Sequence, residues 1–252
     1  MDTASNQERL DRMNPKMKEL TRDQIKRRID EYNDLPDVRG RETSFDYCFN
    51  YFQLFQKNPT GLYNSRENLE TSCLQLGFYL ASWGMMRNSP LQGLSFRGLE
   101  PVIRAIGDAG EQIWGIDLDK YSPETIPVVK CVGEQIRKSF VFKSKTKAGN
   151  IQVATDTLIT KTMLGVFGCV PALDDFFKSG SGVGKFSEDS LKQFGDFYEV
   201  HKEIIGDCKR MTLDSKSGEK TKTQYSNAKI VDMLFFDKGF KKPYAEQSKD
   251  GS

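Results

Sequence analysis

Apolar side chains along this chain recur at the intervals of a helix, with little of the strict alternation that marks a half-buried strand. After Thr43-Ser44, a helix-start pair, Phe45, Phe49 and Phe52 are spaced by four and three residues, and Tyr47, Tyr51 and Leu54 repeat that step on a second face. This segment predicts a helix buried on more than one side. Pro59-Thr60-Gly61 reads as a turn, and Asn64 or Ser65 as the cap of a second helix presenting Leu69, Cys73, Leu76, Leu80 and Trp83 and ending near Met85-Met86,. A third helix is expected from Gly98 to Ile113 and a fourth from Ser122-Pro123-Glu124 to about Phe140, with Ser122 as cap and Glu124 at the positive end of the dipole,. Further helices are expected over Pro15–Tyr32, Thr155–Gly168, Ser187–Lys209 (Leu191, Phe194, Tyr198 and Ile205 inward) and Ser226–Asp237.

Between these runs the polar stretches read as loops: 140–150, the Gly-rich connector Ser179–Lys185, and 214–224. The connector lacks the G-x-x-x-x-G-K-[S/T] spacing of a phosphate loop, and no apolar strand precedes it. Only Ile151-Gln152-Val153 hints at a strand. The expected fold class is therefore mainly α: a compact multi-helix single domain over 43–240, preceded by a charged helical arm (1–42) and followed by a loose tail (241–252). The arm carries ten basic and ten acidic residues in a mixed pattern, which suits a solvated segment or a helix that docks a protein partner.

Composition narrows the function classes. At 252 residues the chain is long enough for one large or two small domains,, and a chain of this size buries on the order of 70% of its unfolded surface. With 37 Lys and Arg against 35 Asp and Glu the net charge is +2, so the protein is no global polycation. Leu76–Met86, a nearly apolar stretch, falls short of the roughly 18 residues that cross a bilayer, and the first residues lack a basic-then-apolar signal. No membrane association and a cytoplasmic location are the expectation. The five cysteines (Cys48, Cys73, Cys131, Cys169, Cys208) have no C-x-x-C pair, which predicts free thiols and neither a metal site nor a cofactor. His201 is the single histidine, and its expected role is structural.

Candidate chemistry concentrates in Thr155–Phe177. A helix carrying Lys161 runs into Gly168-Cys169-Val170-Pro171, and Asp174-Asp175 follow at the start of the next helix. Either aspartate there suits a helix cap; the alternative is a carboxylate aimed into a cleft beside Lys161. Asp156 reads as the cap of the Lys161 helix, and Asp232, on an otherwise apolar helix, needs a partner such as Lys229 or an arginine.

The stretches Leu80-Ala81-Ser82-Trp83-Gly84-Met85, Thr157–Asp174 and Ala228–Met233 resemble those of an uncharacterised family of bacterial proteins, over most of residues 43–240. More distantly, a Lys-bearing helix, a turn, Pro and Asp are similar to the helix-hairpin-helix DNA glycosylase superfamily, although its Leu-Pro-Gly-Val-Gly hairpin and four-cysteine motif are absent from this chain. That resemblance implies a DNA-binding protein that excises a damaged or modified base by hydrolysis, with Asp174 as the catalytic carboxylate and Lys161 as the optional catalytic amine. It further implies an aromatic pocket for the extruded base, for which Trp83 and Tyr79 are candidates, with Arg87 near a phosphate. Arg137, Lys138, Lys143, Lys145 and Lys147 form the best local run for a nucleic-acid backbone. The competing expectation is a non-catalytic helical interaction or nucleic-acid-binding module in which Asp174 only caps its helix.

Overall fold

Capping residues set the helix boundaries. Ser65 accepts from the Asn68 N–H, Thr155 from Leu158, Asp174 from Phe177 and Ser187 from Ser190, each satisfying an N–H that the first helical turn leaves without a partner. The computed structural model describes residues 3–34, 43–87, 90–142 and 153–247. Among these residues there are eleven α-helices: α1 (Thr3–Arg12), α2 (Pro15–Lys18), α3 (Arg22–Asp34), α4 (Thr43–Gln53), α5 (Arg66–Ser82), α6 (Glu100–Asp108), α7 (Thr125–Ser139), α8 (Asp156–Phe167), α9 (Asp175–Ser181), α10 (Glu188–Ile205) and α11 (Asn227–Gln247). Two short antiparallel strands, β1 (Met211–Leu213) and β2 (Lys220–Gln224), pair Met211 with Gln224 and Leu213 with Lys220 across an irregular register. The protein is mainly α, and no helix among the described residues is long and apolar enough to cross a membrane.

Helix α8 is the centre of the core. Every residue from Leu158 to Phe167 is buried, so this helix has no solvent face, and α4, α5 and α7 pack around it. Its polar side chains are satisfied internally: Thr162 donates to the Leu158 carbonyl (2.9 Å), and Thr160 donates to the Asp156 carbonyl (2.7 Å) while accepting from the Leu173 N–H (2.8 Å). Gly168 ends α8 in the left-handed region (φ 67°), where a side chain would be strained. The chain then runs buried through Cys169–Leu173 before Asp174 starts α9.

Helices α9 and α11 cross in backbone contact. A Cβ on Gly180 would lie 2.1 Å from the Phe235 carbonyl oxygen, and one on Gly239 would lie 1.9 Å from that of Phe176. The first three residues of Ser179–Lys185, expected as a flexible connector, are thus the end of a packed helix, which stops at Ser181 with Gly182 as its cap. Gly180 and Gly182 serve close approach, with a Cβ meeting neighbours at 2.1 and 2.2 Å, which composition alone cannot separate from looseness.

Four other expectations change. Residues 3–34 do not project as a solvated arm: Met13, Met17, Ile25, Ile29 and Tyr32 are buried in the common core, α1 and α3 pack on α10, and α2 on α9. Arg12 also clamps Asp196 with two hydrogen bonds of 2.9 and 2.8 Å. The mixed charges lie on the outer face and mask a short inward stripe. The 214–224 loop is in part the β hairpin, docked on α4 by Asp46 (accepting from Leu213 N–H, 3.1 Å) and Asn50 (donating to Leu213 O, 2.9 Å). Helix α11 continues to Gln247, past the expected loosening at Gly239, while residues 248–252 and the strand hint at 151–152 lie outside the described residues. Leu54, expected inside, is exposed because α4 stops at Gln53 and a turn carries the stripe outward.

Candidate functional site

Two ion pairs, one buried and one part-buried at Asp174, face each other where α8, the α8–α9 connection and α11 meet. Lys161, on α8, reaches Asp174 Oδ2 at 2.9 Å, while Asp174 Oδ1 accepts the Phe177 N–H at 2.9 Å. One turn into α11, Lys229 reaches Asp232 Oδ2 at 3.0 Å, and Asp232 Oδ1 accepts the Ala172 N–H at 3.0 Å. Asp232 therefore ties α11 to the strand-like segment that delivers Asp174, which explains a carboxylate on an apolar helix. Trp83, at the C-terminal end of α5, lies under both ammonium groups, 4.9 Å from Lys161 Nζ and 5.4 Å from Lys229 Nζ to the ring centre. Such cation–π contacts are worth about 2 kcal/mol when desolvated.

These groups line a cavity of about 460 Å³, within the size range of small-molecule sites. Its aromatic wall comprises Tyr32, Tyr79, Trp83, Tyr225, Phe236 and Phe240. Arg28, Lys161, Arg210 and Lys229 contribute positive charge, and Glu31, Asp174, Asp232 and Asp237 negative charge. Helix α3 closes one side through Arg28, which bonds Asp237 at 2.7 Å, and Tyr32, whose hydroxyl donates to the same carboxylate at 3.1 Å. Tyr79 is held against the backbone of α8 at Gly165, where a Cβ would meet its ring at 2.4 Å.

Burial shapes the electrostatics. It raises the Asp232 carboxyl, a shift that the Asp174 charge reinforces and Lys229 and Lys161 oppose. The Asp46 carboxyl is pushed up to about 6 by burial, against the pull of the Leu213 N–H, Arg210 and Lys229. The Tyr79 phenol is driven well up by burial, then by Asp232 and Asp174, so it stays a neutral hydroxyl near the carboxylates. Of these groups Asp232 and Tyr79 line the cavity, whereas Asp46 does not; perturbed groups around one cavity are a recognised mark of a functional site.

Of the residues singled out in the sequence, the cavity unites Asp174, Lys161, Trp83 and Tyr79. Arg87 is exposed and does not line it. Arg137 is occupied elsewhere, bonding Glu134 (3.1 Å), Asp156 (2.5 Å) and the Ala154 carbonyl (2.6 Å), so it is not presented to a nucleic-acid backbone. Lys138 is exposed, and Lys143, Lys145 and Lys147 lie outside the described residues. Asp156 does not cap α8; Thr155 does, and Asp156 instead receives Arg137 and the Phe186 N–H (2.9 Å). Cys131 is exposed and the other four thiols are buried; among the described residues no three His, Cys, Asp or Glu side chains gather as a metal site. Sequence reasoning missed Arg210, Tyr225, Phe236, Phe240 and the α3 residues, because the first two flank the unrecognised hairpin and the rest sit on stripes that read as core or arm.

His201 lies away from this cavity, packed on Phe197 with ring centres 4.7 Å apart. Burial lowers its imidazole to about 4, helped by nearby Arg22. The fold therefore favours the neutral ring, while the unfolded chain binds a proton below about 6.5; the contribution is whole above that pH and is lost as pH falls toward 4. Urea titrations of wild type and His201→Gln should show wild type gaining roughly 2 to 3 kcal/mol relative to the variant between pH 4 and 6.5. The comparison cancels Asp46 and Asp117, whose carboxyls burial raises to about 6 and which act with opposite sign. A gap that does not change with pH would contradict a buried neutral ring.

Comparison with known proteins adds no precedent for this arrangement: no protein-family model, no curated protein and no solved structure matches the chain.

Proposed function

We propose that the cavity takes in a nucleobase with its sugar and that the protein hydrolyses the N-glycosidic bond between them, with Asp174 as the working carboxylate. The observation that carries this reading is Asp174 bordering an aromatic-walled cavity of about 460 Å³. Such a volume is large enough for a planar base between rings, and stacking on them contributes roughly 1 to 3 kcal/mol per base. Two hydrogen bonds, from Phe177 N–H and Lys161, fix the carboxylate's orientation.

The chemistry follows from charge. As the C–N bond breaks, the base leaves with the bonding pair and takes up a proton, and positive charge builds on the sugar. A carboxylate beside the anomeric carbon stabilises that charge and accepts a proton from the water whose oxygen bonds to the same carbon. Lys161 acts as the ion-pair partner that orients Asp174, since an ammonium donating to a carboxylate has no lone pair for attack. DNA, including damaged or modified DNA, is the first substrate class to test; free nucleosides and nucleotides are the second, because they need no duplex-binding surface.

A second reading has its own support: both Asp174 oxygens already have protein partners, as in a purely structural cap, which suits a non-catalytic binding module. Purified protein is to be incubated with damaged and modified DNA and with a nucleoside and nucleotide panel, and abasic sites and free base measured. Release of base by wild type is the expected result. No release from any substrate, with ligand binding retained, would replace the hydrolase with the binding module.

A further inference from the structure

The cavity's charges balance in number, four cations against four carboxylates, but not in pairing, since Glu31 lies beside the already bound Arg28 at 3.7 Å. Arg28 is bound by Asp237, Lys161 by Asp174 and Lys229 by Asp232. Arg210 is the exception among the described residues: it lines the same cavity, yet no carboxylate oxygen lies within 4 Å of its guanidinium. Its Nη1 donates to the Tyr32 carbonyl (3.2 Å) and the guanidinium also bonds the Tyr225 hydroxyl, while its buried Nε meets no acceptor among the described residues. The side chain is nonetheless held in place, with its guanidinium 5.3 Å from the centre of the Tyr225 ring. Asp46 feels this charge but does not bond it.

A second observation points the same way. Arg210 and Tyr32 also border a small recess of about 20 Å³ whose other lining residues are Asn33, Lys209, Met211, Leu213 and Lys220. Three cations and no carboxylate line that recess, with Asp46, which accepts the Leu213 N–H, as the carboxylate that acts on Arg210 from behind the lining. A guanidinium with free donors, pinned on an aromatic ring, matches the oxygens of a phosphate in a forked geometry that a lysine does not reproduce.

We infer that Arg210 forms an anion subsite of the cavity and that the ligand is a nucleotide, its phosphate on Arg210 and its base against the aromatic wall. This rests on the nucleobase reading of the cavity and does not require the hydrolytic step. The phosphate can belong to a free nucleotide or to a strand, and the two sources are separable.

Calorimetric titration of the full chain with nucleosides, their 5′-monophosphates and a short single-stranded oligonucleotide tests it, for wild type, Arg210→Gln and Arg210→Lys. Monophosphates should bind wild type at least ten-fold tighter than the matching nucleosides. Arg210→Gln should erase that preference, and Arg210→Lys should restore only part. The oligonucleotide binding tighter than the mononucleotide would identify a strand as the source; the reverse would identify a free nucleotide. Equal affinity of wild type for nucleoside and nucleotide would overturn the anion subsite and leave the cavity reading standing. If neither binds, the nucleobase reading fails, and inorganic phosphate followed by phosphorus NMR decides the subsite alone: line broadening with wild type that Arg210→Gln abolishes upholds it, and no broadening overturns it.

Discussion

Asp174→Asn is expected to lower base release by at least about 100-fold, on the order of 2.7 kcal/mol in the transition state, while leaving α9 capped. The asymmetry comes from the two tasks of one side chain. Asparagine keeps an oxygen to accept from the Phe177 N–H, so α9 remains capped,. It loses the negative charge that would face the sugar and that pairs with Lys161 at 2.9 Å. Lys161 then keeps only neutral acceptors and the face of Trp83, a cost of about 1 to 3 kcal/mol for a group that is 4% exposed,. Lys161→Gln should retain much more activity, because it still donates a hydrogen bond to Asp174 but contributes no charge to the reaction. Steady-state base release alongside thermal unfolding separates the two effects. A fall in activity no larger than the loss of folded protein would make Asp174 a cap and nothing more.

The second large effect is structural. Gly180→Val is expected to destabilise the protein by more than about 3 kcal/mol, because α9 and α11 touch backbone to backbone at this residue and the valine Cβ would lie 2.1 Å from the Phe235 carbonyl oxygen. Neither helix can move away cheaply. Helix α9 is anchored by its Asp174 cap, and α11 by the bond from Ala172 N–H to Asp232. The same displacement would reach the cavity, since Asp174 and Asp232 both border it. Denaturant unfolding of Gly180→Val should therefore show a lower midpoint together with weaker ligand binding, whereas Gly184→Val, at a glycine whose Cβ would meet nothing closer than 3.7 Å, should be close to neutral. Equal midpoints for wild type and Gly180→Val would mean that the crossing has more room than the structure gives it.

How far the sequence could be read depended on whether a residue's role was local. Helix α4 was legible from its Phe45-Phe49-Phe52 stripe, α5 from Ser65, and α8 from Thr155 to Gly168, because caps and 3.6-residue periodicity act within one turn. The hairpin was not, since strands of three and five residues rich in Lys and Thr carry too short a pattern to separate from a loop. Part of the site was legible for the same reason. Asp174 and Lys161 sit on either side of one turn, and Trp83 ends a helix whose apolar stripe points there. Arg210 and Tyr225 meet the cavity only through the folding of the hairpin onto α4, and Arg28, Tyr32 and Asp237 only through the packing of α3 on the body, contacts between residues about two hundred positions apart. The arm was misread by composition: alternating charges describe its outer face and hide Met17, Ile25 and Ile29, all at or below 1% exposure.

The central claim is that the cavity beside Asp174 receives a nucleobase, and Trp83 reports on it directly. The chain has two tryptophans. Trp114 packs on Phe167 with ring centres 4.8 Å apart, and its indole N–H has no hydrogen-bond partner among the described residues, so Trp114→Phe loses no bond seen there and leaves Trp83 as the sole indole. Titrating that variant with nucleosides and nucleotides while following indole fluorescence should give saturable quenching, as a base stacks in the cavity that Trp83 lines. Trp83 emission that stays constant across the whole panel, in a protein shown by circular dichroism to be folded, would contradict the claim.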